Sequence, residues 1–310
     1  MSKKISIAVA GSTQRTVLCA EALRTDDRFE VTWVLTPVPK IIGRKKALTQ
    51  NPLHHWAEAQ AVSTILLEKK IDNAIKDAVL ASDKVDFLLV VDFGYLVPKW
   101  LLELPQRAPL NIHPSLLPRW RGSSPGQFVL LYGEKESAVT LMVMDEDLDS
   151  GPVIAQLPFV VQPTWTQTEY YQHSFGLIQE QLPDLIADFA EGKTKAIPQP
   201  PFSPTPIARR LSREDGFIEW DSLTQLMTGS TSVVFNPLLN NTVAAHASLA
   251  DLVSAACKAF TPWPGLWTVV NDQRLKILSC HAKDQQLVLD EVQLEGKQPT
   301  TWGKLKSQVL

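Results

Sequence analysis

The hydrophobic pattern of the first half of the chain alternates between two periods. Unbroken apolar runs at Ile5–Ala10, Val31–Thr36, Thr64–Leu67, Phe87–Val91 and Pro109–His113 predict strands. The stretches between them, Thr13–Leu23, Leu53–Gln60, Asp72–Leu80 and Val97–Leu104, predict helices. Strands without polar alternation fit a sheet covered on both faces. Their alternation with helices predicts an α/β fold built on a doubly wound, mostly parallel, Rossmann-like sheet. Two more strands, Val139–Met144 and Val153–Val161, flank an acidic segment, and a long helix follows from Gln167 to Glu191, ended by Gly192.

The pattern then breaks. Residues 197–206 read Ile-Pro-Gln-Pro-Pro-Phe-Ser-Pro-Thr-Pro, a stiff connector that predicts a boundary between a domain at 1–196 and a smaller one at 207–310. Beyond it the sequence predicts a strand at Gly216–Trp220, a helix at Leu249–Phe260, and strands at Leu266–Val270, Leu275–Ser279 and Leu287–Gln293. The stretch Gln225–Ala247 has the turn residues of a loop, Phe235-Asn236-Pro237-Leu238-Leu239-Asn240-Asn241 among them.

Composition adds limits. With 310 residues the chain is long enough for two domains, and 45% hydrophobic with 20% charged residues is ordinary for a globular protein. A net charge of −3 gives no global attraction to a polyanion, so any nucleic-acid contact must be local. Cys19, Cys257 and Cys280 lie far apart without metal-ligand spacing and are expected to be reduced and buried. His54, His55, His173, His246 and His281 likewise have no partners at metal spacing, so no metal is expected. The first apolar run is too short for a signal peptide and none reaches membrane-spanning length, which leaves the cytoplasm as the expected compartment.

Candidate chemistry concentrates in Leu110-Asn111-Ile112-His113-Pro114-Ser115-Leu116-Leu117-Pro118-Arg119-Trp120-Arg121-Gly122. An apolar strand ends there in polar side chains, and open α/β sheets place their sites at the carboxyl ends of strands. Asn111 and His113 are two apart and share a face of an extended segment. An Asn-x-His pair alone could equally be a satisfied structural pair; the whole run is far more specific. Ala10-Gly11-Ser12-Thr13-Gln14 lacks the further glycines of a dinucleotide fingerprint and reads as a tight turn with Ser12 or Thr13 as helix cap.

These residues resemble the folate-dependent formyltransferases, which carry an Asn-x-His at a strand end, a Ser-Leu-Leu-Pro loop and a later Asp. Met144-Asp145-Glu146-Asp147-Leu148-Asp149-Ser150-Gly151 resembles the Asp loop of that family. Pro-Arg-Trp-Arg-Gly at 118–122 and Phe-Thr-Pro-Trp-Pro-Gly at 260–265 resemble the members that act on methionyl-tRNA. The likeness runs from about residue 5 to about 220 and resumes in patches from about 256.

The resemblance implies transfer of a formyl group from 10-formyltetrahydrofolate to the amino group of initiator methionyl-tRNA, with Asn111, His113 and Asp149 catalytic. It implies a folate site at Val91, Phe93, Gly94, Tyr95 and Leu96 with Ser115, Leu116, Pro118 and Asp145, although Asp92 stands where the family has a small residue. Lys40, Arg44, Lys45 and Lys46 fall in a window, 31–57, without Asp or Glu. Gly43-Arg44-Lys45-Lys46 resembles the tRNA-contacting loop of the family with one Gly missing; Arg44, Lys45, Lys46, Arg119 and Arg121 are the expected tRNA contacts. The chain is expected to act as a monomer. Rival expectations are a sugar-nucleotide amine formyltransferase, a 10-formyltetrahydrofolate hydrolase, and a non-catalytic binder of folate or RNA, which would have no need of all three catalytic residues.

In the tRNA-acting members the last domain resembles an OB-type barrel, which needs five strands. Here about four short strands follow the connector. From Pro206 to Leu310 there are ten Lys plus Arg against ten Asp plus Glu, so no positive field is expected. The expectation is a reduced, OB-like β domain that grips tRNA weakly.

Overall fold

The structure is a computed structural model that describes residues 3–42, 47–230 and 233–309. In chain order its elements are β1 Ile5–Gly11, α1 Gln14–Arg24, β2 Phe29–Pro37, β3 Lys40–Ile42, β4 Ala47–Thr49, α2 Pro52–Ala59, β5 Ser63–Leu67, α3 Asn73–Leu80, β6 Phe87–Val91, α4 Lys99–Leu102, β7 Ala108–His113 and α5 Pro125–Leu131. There follow β8 Glu136–Val143, β9 Val153–Val160, α6 Gln167–Ala190, α7 Trp220–Met227, α8 Pro237–Asn240, α9 Leu249–Phe260, β10 Leu266–Val270, β11 Gln273–Lys283, β12 Gln286–Leu294, β13 Thr300–Thr301 and α10 Trp302–Val309. The chain divides into two compact units, 1–121 with 138–158 and 173–204, and 122–137 with 159–172 and 205–310.

The first unit is organised by a seven-stranded sheet of order β5-β2-β1-β6-β7-β8-β9. The pairs β1–β2, β2–β5, β1–β6 and β6–β7 are parallel, and β7–β8 is antiparallel. The predicted doubly wound α/β sheet is therefore present. Its strand order reverses between β1 and β6, the crevice where such sheets bind ligands. Gly11 makes the switch possible: a Cβ there would sit 2.3 Å from the Val91 carbonyl oxygen and 2.4 Å from the Thr16 methyl. The strands are apolar because both faces are covered, with every residue of β6 buried. One cluster joins Ala8, Trp33, Leu35, Leu88, Val90 and Phe93 to Ile75 and Val79 of α3. Caps fix the helix starts: Thr13 accepts from Thr16 N–H, Asn51 from His54 N–H and Asp72 from Ile75 N–H. Gly192, at φ 75°, follows the long helix as expected.

The second unit contains a four-stranded antiparallel sheet of order β10-β11-β12-β13. Among the described residues no fifth strand joins it, and β13 is two residues long. Helix α9 packs on β11, and α7 and α10 pack on β12. The strand expected at Gly216–Trp220 does not form. Residues Arg213–Gly216 make a 3-10 turn, Phe217 contributes a lone bridge to Trp267, and α7 begins at Trp220. The cause is local: the Asp215 carboxylate accepts from the Ser212 N–H at 2.6 Å and hydroxyl at 3.1 Å, which coils the chain. The stretch expected to be a loop is also packed. Asn236 caps α8 through Leu239 N–H, and its amide donates to the carbonyls of Asp215 and Phe217. All three cysteines are buried thiols. No helix among the described residues is long and apolar enough to cross a membrane.

Candidate active site

The carboxyl end of β7 carries the site, and every residue described in it belongs to the first unit. Asn111 pairs in register with Val90 on one side and Met142 on the other, so the side chain two residues on, His113, leaves the sheet edge on the same face. His113 is buried, at 4% exposure, yet has a defined setting at both ring nitrogens. Its Nε2 lies 3.0 Å from the Trp120 carbonyl oxygen. A carbonyl only accepts, so Nε2 carries the proton and Nδ1 keeps its lone pair in the neutral ring. Nδ1 faces Asp149 Oδ2 at 3.7 Å. The side-chain amide of Asn111 has no hydrogen-bonding partner among the described residues, which leaves a donor at the strand end.

The surrounding loops are held hard. Ser115 donates from Oγ to the Arg119 carbonyl at 2.7 Å, and Thr140 donates to the Ser115 carbonyl at 2.7 Å. Gln156 reaches in from β9 to donate to the Leu117 carbonyl at 2.8 Å. Trp120 is 2% exposed and has φ 60°. Left-handed backbone in a bulky non-glycine residue is rare and costs about 1–3 kcal/mol, and such strain gathers at functional sites. Asp149 shares that conformation at φ 49°. Beside it, Gly151 must be glycine, because a Cβ would stand 2.0 Å from the Val143 carbonyl oxygen.

The sequence expectations fall unequally. His113 and Asp149 approach to 3.7 Å at the end of β7, and Asn111 lies two residues before His113 on the same strand. In the expected folate segment Val91 and Phe93 are core residues, Tyr95 packs against Phe93 with ring centroids 5.3 Å apart, and Leu96 is 92% exposed. Gly94 lies in open space, so packing within the protein does not require its small size. Asp92, at φ 49°, is an ion-pair partner of Arg15 at 2.5 Å and accepts from the Thr13 hydroxyl at 2.8 Å. Those contacts tie the start of α1 to the end of β6 across the switch point. Leu116 and Pro118 are half-buried. Asp145 is exposed and accepts from the Ser150 hydroxyl at 3.0 Å. It lines an open, acidic cleft of about 420 Å³ with Glu103, Pro109, Met144, Glu146 and Asp147, which Asn111, His113 and Asp149 do not line.

Of the expected tRNA contacts, Arg44, Lys45 and Lys46 lie outside the described residues. Lys40, which precedes them in sequence, is described and exposed. Arg119 stacks its guanidinium 5.8 Å from the Trp120 ring centroid. Arg121 is not on an exposed basic surface. It is 7% exposed, and its guanidinium donates to Gln199 Oε1 at 3.2 and 2.9 Å and to the Pro200 carbonyl at 2.8 Å. Gln199 is the residue that sequence reasoning missed, because its Pro-rich neighbourhood reads as connector.

Known proteins resemble the chain in sequence and in fold. The family described as Formyl transferase matches residues 3–186, and Formyl transferase, C-terminal domain matches 248–287. The chain is 31% identical over 252 residues to a Methionyl-tRNA formyltransferase of Gluconobacter oxydans (strain 621H), covering 81% of this chain and 73% of that one. The Methionyl-tRNA formyltransferase from Clostridium thermocellum shares the fold, with a TM-score of 0.56 at 12% identity over 94% of this chain and 98% of that one. So does an N-formyltransferase from Helicobacter canadensis, solved with folinic acid and dTDP-3-aminofucose, with a TM-score of 0.58 at 18% identity over 90% of this chain and 88% of that one. The N-terminal match alone takes in more than half of the 310 residues, and the chain belongs to the formyl transferase family.

Proposed function

We propose that the protein transfers the formyl group of 10-formyltetrahydrofolate to the amino group of initiator methionyl-tRNA. The observation that carries this reading is the strand-end trio in a chain whose curated relative, 31% identical over 81% of its length, is a methionyl-tRNA formyltransferase. The folate supplies the activated formyl carbon. In the transfer the acceptor nitrogen bonds to that carbon, the bond from carbon to the folate nitrogen breaks, and a proton passes from the acceptor to the departing nitrogen.

The residues fit those needs. His113 Nδ1, with its lone pair, can take the proton of the attacking amine, while the Trp120 carbonyl holds the ring by Nε2–H. Asp149, 3.7 Å away, stabilises the imidazolium that results and orients the ring. The Asn111 amide donates to the oxygen that becomes negative, a contact typically worth about 3–4 kcal/mol of barrier. The folate site is proposed at Val91, Phe93, Gly94, Tyr95, Leu96, Ser115, Leu116, Pro118 and Asp145 on the family resemblance, with Asp145 also lining the neighbouring cleft. The basic segment Arg44, Lys45 and Lys46 is the proposed phosphate contact, with Arg119; the burial of Arg121 removes it from that role. Action in the cytoplasm as a monomer belongs to the same proposal.

A specific observation keeps an amino-sugar nucleotide as second reading: the balance of ten cationic and ten anionic side chains after Pro206 supplies no field for a polyanion. Incubating the protein with 10-formyltetrahydrofolate and either acceptor, and reading the formylated product by mass, separates the two. Formyl-methionyl-tRNA is the expected product. Formylation of the amino-sugar nucleotide alone would overturn the proposal.

A further inference from the structure

The Pro-rich connector holds a second feature of the site. Its first residues are not free chain: Ile197 exchanges both backbone hydrogen bonds with Val153, each 2.8 Å, and so adds a bridge at the start of β9. Two residues on, Gln199 sends its side chain into the loop network. Its Nε2 donates to the carbonyls of Asp149 at 3.0 Å and Gly151 at 2.7 Å. Its Oε1 accepts two hydrogen bonds from the buried guanidinium of Arg121. The amide orientation is dictated by chemistry: a guanidinium only donates and carbonyls only accept.

The two segments joined in this way are those that set the two faces of His113. Arg121 follows Trp120, whose carbonyl holds Nε2. Asp149 offers its carboxylate to Nδ1 and, through its own carbonyl, is tied to Gln199. Asp149 also sits at φ 49°, a conformation that persists only where its surroundings over-determine it. From this geometry we infer that Gln199 is a positioning residue for the reaction: its amide clamps the Asp149 loop to the Trp120–Arg121 segment and keeps the carboxylate aligned on His113. The inference rests on the catalytic reading of His113 and Asp149. Gln199 itself touches no reacting atom.

Two substitutions isolate the clamp. Gln199→Glu keeps an acceptor for Arg121 but places an oxygen against two carbonyl oxygens, releasing the loop; Gln199→Met keeps the volume and removes every hydrogen bond. Each is measured for turnover of methionyl-tRNA, for the Michaelis constant of the folate donor, and for amide exchange of the peptide 145–153. The expected result is a fall of about ten- to a hundredfold in kcat, with the Michaelis constant of the folate within about twofold of wild type and faster exchange in the loop. In an Asp149→Ala background Gln199→Glu should cost nothing further, because both changes remove one alignment. Unchanged kcat in a folded variant, or losses that multiply in the double variant, would overturn the clamp. If the Glu variant does not fold, the Met variant decides on the same criteria. If wild type fails to formylate methionyl-tRNA, the acceptor reading falls and the exchange arm still decides: faster exchange upholds the clamp, unchanged exchange overturns it.

Discussion

The two sheets of this protein use their polar groups in opposite ways. The sheet of the first unit is apolar along its strands and polar where they stop, so Asn111 and His113 stand at the carboxyl end of β7, where the pairing with β6 ends at Asn111 and only β8 continues beside His113. In the antiparallel sheet of the second unit, polar residues alternate along β11 and β12 and face outward, and the polar clusters beside it are spent on folding. Asp215 shows this: it binds Arg209 at 2.6 Å, Ser212 and nothing that resembles a site. A sheet that must hide both faces concentrates its chemistry at its ends, whereas a sheet with one wet face disperses it.

That contrast predicts where substitutions will act. The largest effect belongs to the strand end of the first unit. Asp149→Ala should lower turnover by about a hundredfold or more while leaving the fold intact, checked by steady-state kinetics with circular dichroism. Asn111→Ala should act mainly on kcat; a loss confined to folate affinity would remove it from the oxyanion role.

A smaller effect is expected at the basic segment Arg44-Lys45-Lys46. Arg44→Ala should weaken use of methionyl-tRNA several-fold, leave folate binding unchanged, and reduce the salt slope of tRNA binding by about one, as loss of one phosphate contact requires. Binding titrations at several salt concentrations measure this. An unchanged slope would remove Arg44 from the phosphate contacts.

In the second unit the expected effect is on stability alone. Burial by itself would raise the Asp215 carboxyl, but Arg209 and Ser212 outweigh it and hold its pKa below the ordinary value. A carboxyl depressed in this way stabilises the fold above its unfolded pKa of about 3.9, and that contribution is lost as pH falls through the lower, folded value. Asp215→Asn should therefore cost about 1–3 kcal/mol at neutral pH, with the difference from wild type shrinking below about pH 4. Chemical denaturation at several pH values tests this. In the first unit Asp86 behaves alike: burial opposes ionisation, and Ser6 with Arg107 overcomes it. Acid should therefore weaken both units.

How much of this could be read from the sequence also differs between the regions. Strands of the first unit were legible because covered strands are continuous apolar runs; β6 falls at Phe87–Val91 as the pattern predicts. Helix α5, which belongs to the second unit, was not, because all seven of its residues are buried and it has no polar face to mark a period. In the second unit β11 and β12 run further than their apolar residues, joined at Asp284 and Gln285, both with positive φ. That hairpin lacks the Asn-Gly or Asp-Gly signal of such turns. At the site, Asn111, His113 and Asp149 were legible through the family motif. The Trp120 carbonyl and the Gln199 amide were not: the first is a backbone group and the second is 86 residues from His113 in sequence, amid prolines.

In the proposed reaction His113 Nδ1 moves the proton of formyl transfer to methionyl-tRNA. The direct measurement is the rate of formyl-methionyl-tRNA formation by His113→Ala beside wild type, at saturating 10-formyltetrahydrofolate, with folate binding measured in parallel. The account predicts a fall of about a hundredfold or more with unchanged folate affinity. Formation at a near-wild-type rate would contradict it.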